Sequence, residues 1–123
     1  MKPLNVVIAQ RECKTAETLA RDLQNHFKMI AVARDLEEMR RTVPKHRADV
    51  AIIDLEAASL IEVDQLRREY PELTIVCTHR LADEGMWQAA LSSGAQDCCH
   101  PSDVRSIVLA ASRTQVMSRT TAA

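Results

Sequence analysis

The sequence predicts an α/β fold with a five-stranded parallel sheet and helices on both of its faces. Short apolar runs of strand length alternate five times with segments of helical periodicity. The run Val50–Ile53 is apolar at every position, as expected for a parallel strand buried on both faces. Aromatic residues make up 2% of the chain and apolar residues 46%, so the core is aliphatic and suits helices packed on a sheet.

The strands are predicted from the apolar runs, at residues 4–9, 29–33, 50–53, 73–77 and 96–99. A helical segment separates each strand from the next, so the strands run parallel with right-handed crossovers. A doubly wound sheet of this size is expected to have the strand order 2-1-3-4-5. Ligands of such sheets bind at the carboxyl ends of the strands, and Asp54 directly follows the third strand.

The first two helices are predicted from periodicity and from cap residues. Apolar residues recur every three or four positions across residues 14–27, which predicts one helix. Asp35 is a candidate N-cap for the second helix, with Glu38 three residues later as its capping-box partner. Proline disfavours a helix interior, so we expect the second helix to end at Pro44.

The remaining three helices have similar boundary signals. Residues 60–70 are predicted to form the third helix, which ends before Pro71. The fourth helix is predicted to open at Asp83 and to end at Gly94, because glycine adopts the left-handed C-cap geometry easily. Ser102 is the predicted cap of the last helix.

The 123 residues fit one domain, predicted over residues 1–118, with a frayed tail at residues 119–123. A net charge of −1 favours neither nucleic acid nor an anionic membrane as a partner. The apolar run Val6–Ala9 is too short for a signal peptide or a spanning helix, so we expect a cytoplasmic protein. The four cysteines lack the spacing of a disulfide scaffold, which fits a reducing compartment.

Several motifs together resemble the receiver domain of bacterial response regulators, a flavodoxin-like fold, over nearly the whole chain. The resemblance is carried by Val6–Ala9 before a loop, Ala48–Leu55 around the third strand, Gly94–Ala95 and His100–Pro101. In that family an aspartate at the end of the third strand accepts a phosphoryl group from a histidine kinase. By position, Asp54 is the candidate phosphoacceptor.

The resemblance also implies a magnesium site that this sequence lacks in part. Two acidic residues after the first strand hold Mg²⁺ in the family, and those positions fall on Gln10 and Arg11. Mg²⁺ is bound through carboxylates and phosphate oxygens, and here only Asp54 and Glu12 offer carboxylates. We therefore expect weak or absent Mg²⁺ binding and no other cofactor. Arg11 either pairs with Asp54 or turns to solvent.

Two further family positions contact the phosphoryl oxygens. A Thr or Ser at the end of the fourth strand falls on His79, or on Thr78 if the alignment shifts by one residue. A lysine before a proline falls on His100. These departures predict a degenerate, or pseudo-receiver, variant.

The predicted function is a signalling module of a two-component phosphorelay that acts by protein–protein interaction. Its expected partner is a histidine kinase or another signalling protein. A homodimer is also expected through the fourth helix, fifth strand and fifth helix, a face that includes Trp87, Arg105 and Arg113. The main alternative is a working receiver that is phosphorylated on Asp54.

A more distant alternative is a metal or thiol sensor. Cys13, Asp54, His79 and His100 are expected near the carboxyl edge of the sheet and are of metal-ligand type. Cys98 and its neighbour Cys99 should point to opposite faces of the sheet, which disfavours a redox pair. Only two glycines occur in the chain and no glycine-rich phosphate loop is present, so an independent enzyme is not expected.

Overall fold

The computed structural model describes residues 4–81 and 83–112, and its centre is a five-stranded parallel sheet. The strand order is β2-β1-β3-β4-β5, which confirms the predicted order 2-1-3-4-5. The strands are β1 (Asn5–Ala9), β2 (Met29–Ala33), β3 (Val50–Asp54), β4 (Thr74–Thr78) and β5 (Asp97–Cys99).

Five helices cover the two faces of the sheet. They are α1 (Cys13–Leu23), α2 (Leu36–His46), α3 (Leu60–Glu69), α4 (Glu84–Ser92) and α5 (described over residues 104–112). Buried residues of α1 and α5 form a core cluster with one face of the sheet, and those of α2, α3 and α4 form a second cluster on the other. None of the described helices is long and apolar enough to cross a membrane.

The central strand β3 shows how the sequence pattern produces this arrangement. All five of its residues are buried. Ala51 and Ile53 belong to the α2–α3–α4 core, whereas Val50 and Ile52 belong to the α1–α5 core. Side chains alternate between the two faces of a strand, so an uninterrupted apolar run supplies both cores at once.

The first helix is shorter than predicted. It ends at Leu23 rather than at residue 27, because the chain continues in tight turns with the His26 N–H donating to the Leu23 carbonyl. Phe27 is nevertheless buried and packs in the α1–α5 core. The apolar spacing therefore predicted the burial of Phe27 correctly, although Phe27 lies outside the helix.

The prediction that Pro44 ends α2 is wrong. The helix continues to His46 and ends at Arg47, which has a left-handed φ of 51°. Pro44 lies in the last turn, where its missing N–H removes a single helical bond. The Arg47 N–H donates to the Pro44 carbonyl and the Ala48 N–H to the Val43 carbonyl, so the carbonyls of this turn have partners.

Two predicted helix starts are confirmed and one is wrong. The side chains of Asp35 and Asp83 accept N-terminal backbone N–H groups of α2 and α4. Ser102 does not cap α5, because Asp103 accepts the N–H of Ser106 and takes that role. α4 ends at Ser92 with Ser93 as its C-cap, and Gly94 follows with a φ of +104°, the left-handed geometry predicted for it. The predicted tail at residues 119–123 lies outside the described residues.

Candidate functional site

The candidate site lies where β1, β3 and β4 end at the same edge of the sheet. Asp54 is the last residue of β3 and is paired in register with Thr78, the last residue of β4. Gln10 follows β1 directly, and its N–H donates to the Ala33 carbonyl, which extends the pairing of β1 with β2 by one residue. Asp54, Gln10 and Thr78 are all buried, so their polar groups must find partners within the protein.

Both carboxylate oxygens of Asp54 accept hydrogen bonds from the protein. Oδ2 accepts from Nε2 of Gln10 at 2.8 Å and from Oγ1 of Thr78 at 3.3 Å. Oδ1 accepts from the backbone N–H of Glu56 at 2.7 Å. Three donors around one buried carboxylate replace the water that burial removes.

The hydrogen bonds of Gln10 fix the orientation of its amide. Its Oε1 accepts the backbone N–H of Glu12 at 3.3 Å, which leaves Nε2 as the end that faces Asp54. Arg11 is exposed and forms no ion pair with Asp54, so the structure has the solvent-facing arrangement of the two that were expected. The Gln10 amide therefore lies beside Asp54, where the Arg11 guanidinium would lie in the alternative arrangement.

The oxygens of Asp54 are shared with protein hydrogen-bond donors rather than with a second carboxylate. Mg²⁺ needs octahedral oxygen ligands, usually one or two carboxylates. Gln10 presents an N–H to Asp54 rather than an oxygen, and Glu12 accepts the Thr15 hydroxyl at 2.8 Å. Within residues 4–81 and 83–112, no three His, Cys, Asp or Glu residues are grouped so that they could hold a metal ion.

A cavity of about 100 Å³ opens above Asp54. An ion pair between Nε of Arg80 and Oε1 of Glu56, 2.8 Å long, lies at its wall, and Pro101 also lines it. This ion pair was not predicted from the sequence. Its signal was present, because Glu56 and Arg80 each lie two residues beyond the end of a strand and those strands, β3 and β4, are neighbours.

Of the residues at the phosphoryl-contact positions, the structure brings only Thr78 to Asp54. β4 ends one residue later than predicted, which places the Thr78 hydroxyl in the site. The ring of His79 accepts the Leu81 N–H through Nδ1, and the ring of His100 accepts the Ser102 N–H in the same way. Neither histidine lines the cavity above Asp54.

The cysteines are not placed for thiol chemistry at this site. Cys98 packs in the α2–α3–α4 core and Cys99 in the α1–α5 core, as the alternation of strand residues predicted. Burial raises the pKa of Cys77 and of Cys99 to about 12, and it also raises the pKa of Cys98. These three thiols stay protonated at neutral pH, and the reactive form of cysteine is the thiolate. Cys13 is exposed at the start of α1.

The face formed by α4, β5 and α5 carries exposed apolar surface. Trp87 on α4 is 43% exposed, and its indole N–H donates to Asp97 Oδ1 of β5 at 2.9 Å. Leu109 on α5 is 49% exposed, and Arg105 lies one turn before it. Arg113, also predicted on this face, lies outside the described residues.

Comparison with known proteins identifies the fold. No family model matches the sequence, and no curated protein matches it. Solved structures do match. A response regulator receiver domain from Clostridium thermocellum superposes with a TM-score of 0.82 at 13% identity, over 95% of this chain and 98% of that one. The chain has the receiver-domain fold.

Two longer proteins match in the same way. The response regulator RcsB of Salmonella typhimurium has a TM-score of 0.78 at 18% identity, over 92% of this chain. NtrX from Brucella abortus has a TM-score of 0.84 at 17% identity, over 98% of this chain. The chain spans only 61% of RcsB and 28% of NtrX. At these identities the comparison concerns the fold.

Proposed function

We propose that this protein is an atypical receiver-like module of a two-component phosphorelay, impaired in magnesium-dependent phosphorylation and acting through protein–protein contacts. The observation that carries the proposal is the hydrogen bond from the Gln10 amide to Asp54 Oδ2, 2.8 Å long. In the receiver family that position belongs to a magnesium-binding carboxylate. Here the buried aspartate accepts hydrogen bonds from donors that the chain itself supplies.

The electrostatics of phosphoryl transfer support this assignment. The reaction spreads negative charge over three phosphoryl oxygens, and in most enzymes a divalent cation stabilises that charge. Two cations, Arg11 and Arg80, line the cavity. Arg80 is already paired with Glu56, and the exposed Arg11 is the one positive charge that replaces the acidic pair. Without a metal, this site offers an incoming phosphoryl group less stabilisation than a receiver with an intact acidic pair.

The test is phosphorylation with acetyl phosphate, followed by intact-protein mass spectrometry. We expect little added phosphoryl mass at millimolar Mg²⁺, and the same small yield with EDTA. The matched variant Gln10→Asp/Arg11→Asp restores both acidic positions and should gain a magnesium-dependent phosphoryl adduct, which Asp54→Asn in that background removes. A high yield from the unmodified protein that requires Mg²⁺ would contradict the proposal.

A second candidate function, a working phosphoacceptor, is favoured by one specific contact. The Thr78 hydroxyl lies 3.3 Å from Asp54 Oδ2, at the strand end where receivers have a Thr or Ser. Such a hydroxyl can donate to a phosphoryl oxygen as it now donates to the carboxylate. Under this function a histidine kinase would label Asp54 with a yield that falls in Thr78→Val.

For a protein that we propose to be cytoplasmic, the proposed partners are a histidine kinase or other signalling protein and a second copy of the chain. For the homodimer we propose the α4–β5–α5 face, on which Trp87 combines an exposed ring with a hydrogen bond to Asp97. Aromatic anchors of this kind are enriched at the centres of interfaces. Light scattering should give a dimer mass at high concentration, and Trp87→Glu should give a monomer. A monomer at every concentration would exclude this contact.

A further inference from the structure

Within residues 4–81 and 83–112, no strand pairs with the outer side of β2. β2 lies at one end of the five-stranded sheet and pairs with β1 along its inner side. It is the least buried strand, with Val32 at 43% exposure. Alternate residues of an edge strand direct backbone N–H and C=O groups outward, where another extended chain can pair with them.

A groove of about 430 Å³ runs between this edge and α1. Its floor is apolar, formed by side chains that include Ile30 and Val32 of β2 and Phe27 before the strand. Ile30 and Val32 are two residues apart, so they lie on the same face of β2 and lean toward α1. An added strand would therefore place every second side chain into this groove.

The charges at the two ends of the edge are both positive. Lys28 precedes β2 and Arg34 follows it, and both are exposed. Among the residues that line the groove, Arg21 and Lys28 outnumber the single carboxylate, Glu17. An added strand that is apolar in its middle and acidic at both ends would complement these charges whether it pairs with β2 parallel or antiparallel.

The same charges argue against a second copy of the chain. If two β2 strands paired antiparallel along their full length, Met29 would lie opposite Ala33 of the other copy. Lys28 would then face Arg34 across the new ladder, and like charges in opposed positions are destabilising. The charges at this edge therefore favour an acidic extended partner over a second copy of β2.

We propose that the β2 edge and its groove bind an extended peptide segment of a partner protein, which adds a sixth strand to the sheet. The segment has apolar side chains at alternate positions and an acidic residue at each end. This surface is separate from Asp54 and from the α4–β5–α5 face, so it does not depend on the proposed function.

The test uses a blocked seven-residue peptide that alternates valine with threonine and has a glutamate at each end. Titration into ¹⁵N-labelled protein should shift the backbone amides of β2 and the groove side of α1. A control peptide with lysine at each end should bind about fivefold more weakly, as two exposed charge pairs would give. Lys28→Glu/Arg34→Glu should reverse that preference.

Matched substitutions test the apolar floor. Val32→Lys should abolish binding, while Leu109→Lys, at a similarly exposed position on α5, should leave it unchanged. Equal binding of the two peptides, shifts confined to another surface, or no shift in β2 at millimolar peptide would each overturn the proposal. A dimer that Val32→Lys dissociates would overturn it in favour of self-association.

Discussion

Replacing Gln10 by aspartate tests how Asp54 is stabilised, because it exchanges the amide donor for a second carboxylate. The Gln10 amide donates to Asp54 Oδ2 at 2.8 Å, and both side chains are buried. Loss of a hydrogen bond to a charged group removes about 1.5–3 kcal/mol. Two carboxylates about 4 Å apart also repel by up to about 4 kcal/mol near a surface, and sharing one proton relieves part of that.

We therefore expect Gln10→Asp to lower the free energy of unfolding by about 2–4 kcal/mol in EDTA. Urea denaturation at neutral pH measures this. Gln10→Asn is the matched control, because asparagine has the shape of aspartate without its charge. The difference between the two variants isolates the repulsion between carboxylates from the loss of the hydrogen bond.

Magnesium should then stabilise Gln10→Asp and leave the unmodified protein unchanged. A ligand that binds only the folded state adds about 2.7 kcal/mol at a hundredfold excess over its dissociation constant. In Gln10→Asp/Asp54→Asn the magnesium effect should disappear. Equal stabilities of the Asp and Asn variants in EDTA, or an equal gain from Mg²⁺ in the unmodified protein, would refute this account of the site.

Three further predictions concern stability. Thr78→Val removes the hydroxyl that donates to Asp54 and should cost about 1 kcal/mol in urea denaturation, a loss that vanishes when Asp54 is already alanine. Gly94→Ala should lower stability by more than about 1 kcal/mol, because φ is +104° and a Cβ would lie 2.7 Å from Cγ of Arg67. Gly85→Ala should not destabilise, because a Cβ there would meet Oδ1 of Asp83 at an ordinary contact distance of 3.5 Å. Burial raises the pKa of Cys77 from its ordinary value of 9.0 to about 12, so its contribution to stability is complete below pH 9 and is lost as the pH rises toward 12. Cys77→Ala should show a shallower alkaline decline than Cys13→Ser, and equal slopes would contradict the assignment.

The strand order and the position of Asp54 could be predicted because both follow from local patterns. A buried parallel strand must be apolar throughout, and the first polar residue after it marks the edge of the sheet. The caps at Asp35, Asp83 and Gly94 were predictable for the same reason, since each depends on a few neighbouring backbone groups. The continuation of α2 past Pro44 was not predictable in this way. A proline in the last turn disrupts few hydrogen bonds, so tertiary contacts decide whether the helix continues.

The contacts of the site could not be predicted, because they depend on where each strand ends. One more paired residue in β4 brought Thr78 rather than His79 to Asp54. One more backbone hydrogen bond after β1, from the Gln10 N–H to the Ala33 carbonyl, keeps Gln10 buried, and the next residue, Arg11, is exposed to solvent. The cost of burying a guanidinium favours this outcome, since an amide is cheaper to desolvate and its two ends find Asp54 and the Glu12 N–H.

The hydrogen bonds around Asp54 have a consequence for signalling. A receiver that depends on magnesium and phosphate holds an incompletely satisfied acidic cluster until its ligands arrive, whereas here three donors already satisfy the one buried carboxylate. A ligand changes a conformational equilibrium only through a difference in its affinity for the two states. With Asp54 satisfied in the described state, a phosphoryl group would first have to displace the Gln10 amide. Under the proposed function, we therefore expect a partner that binds the surface to control this protein more readily than chemistry at Asp54.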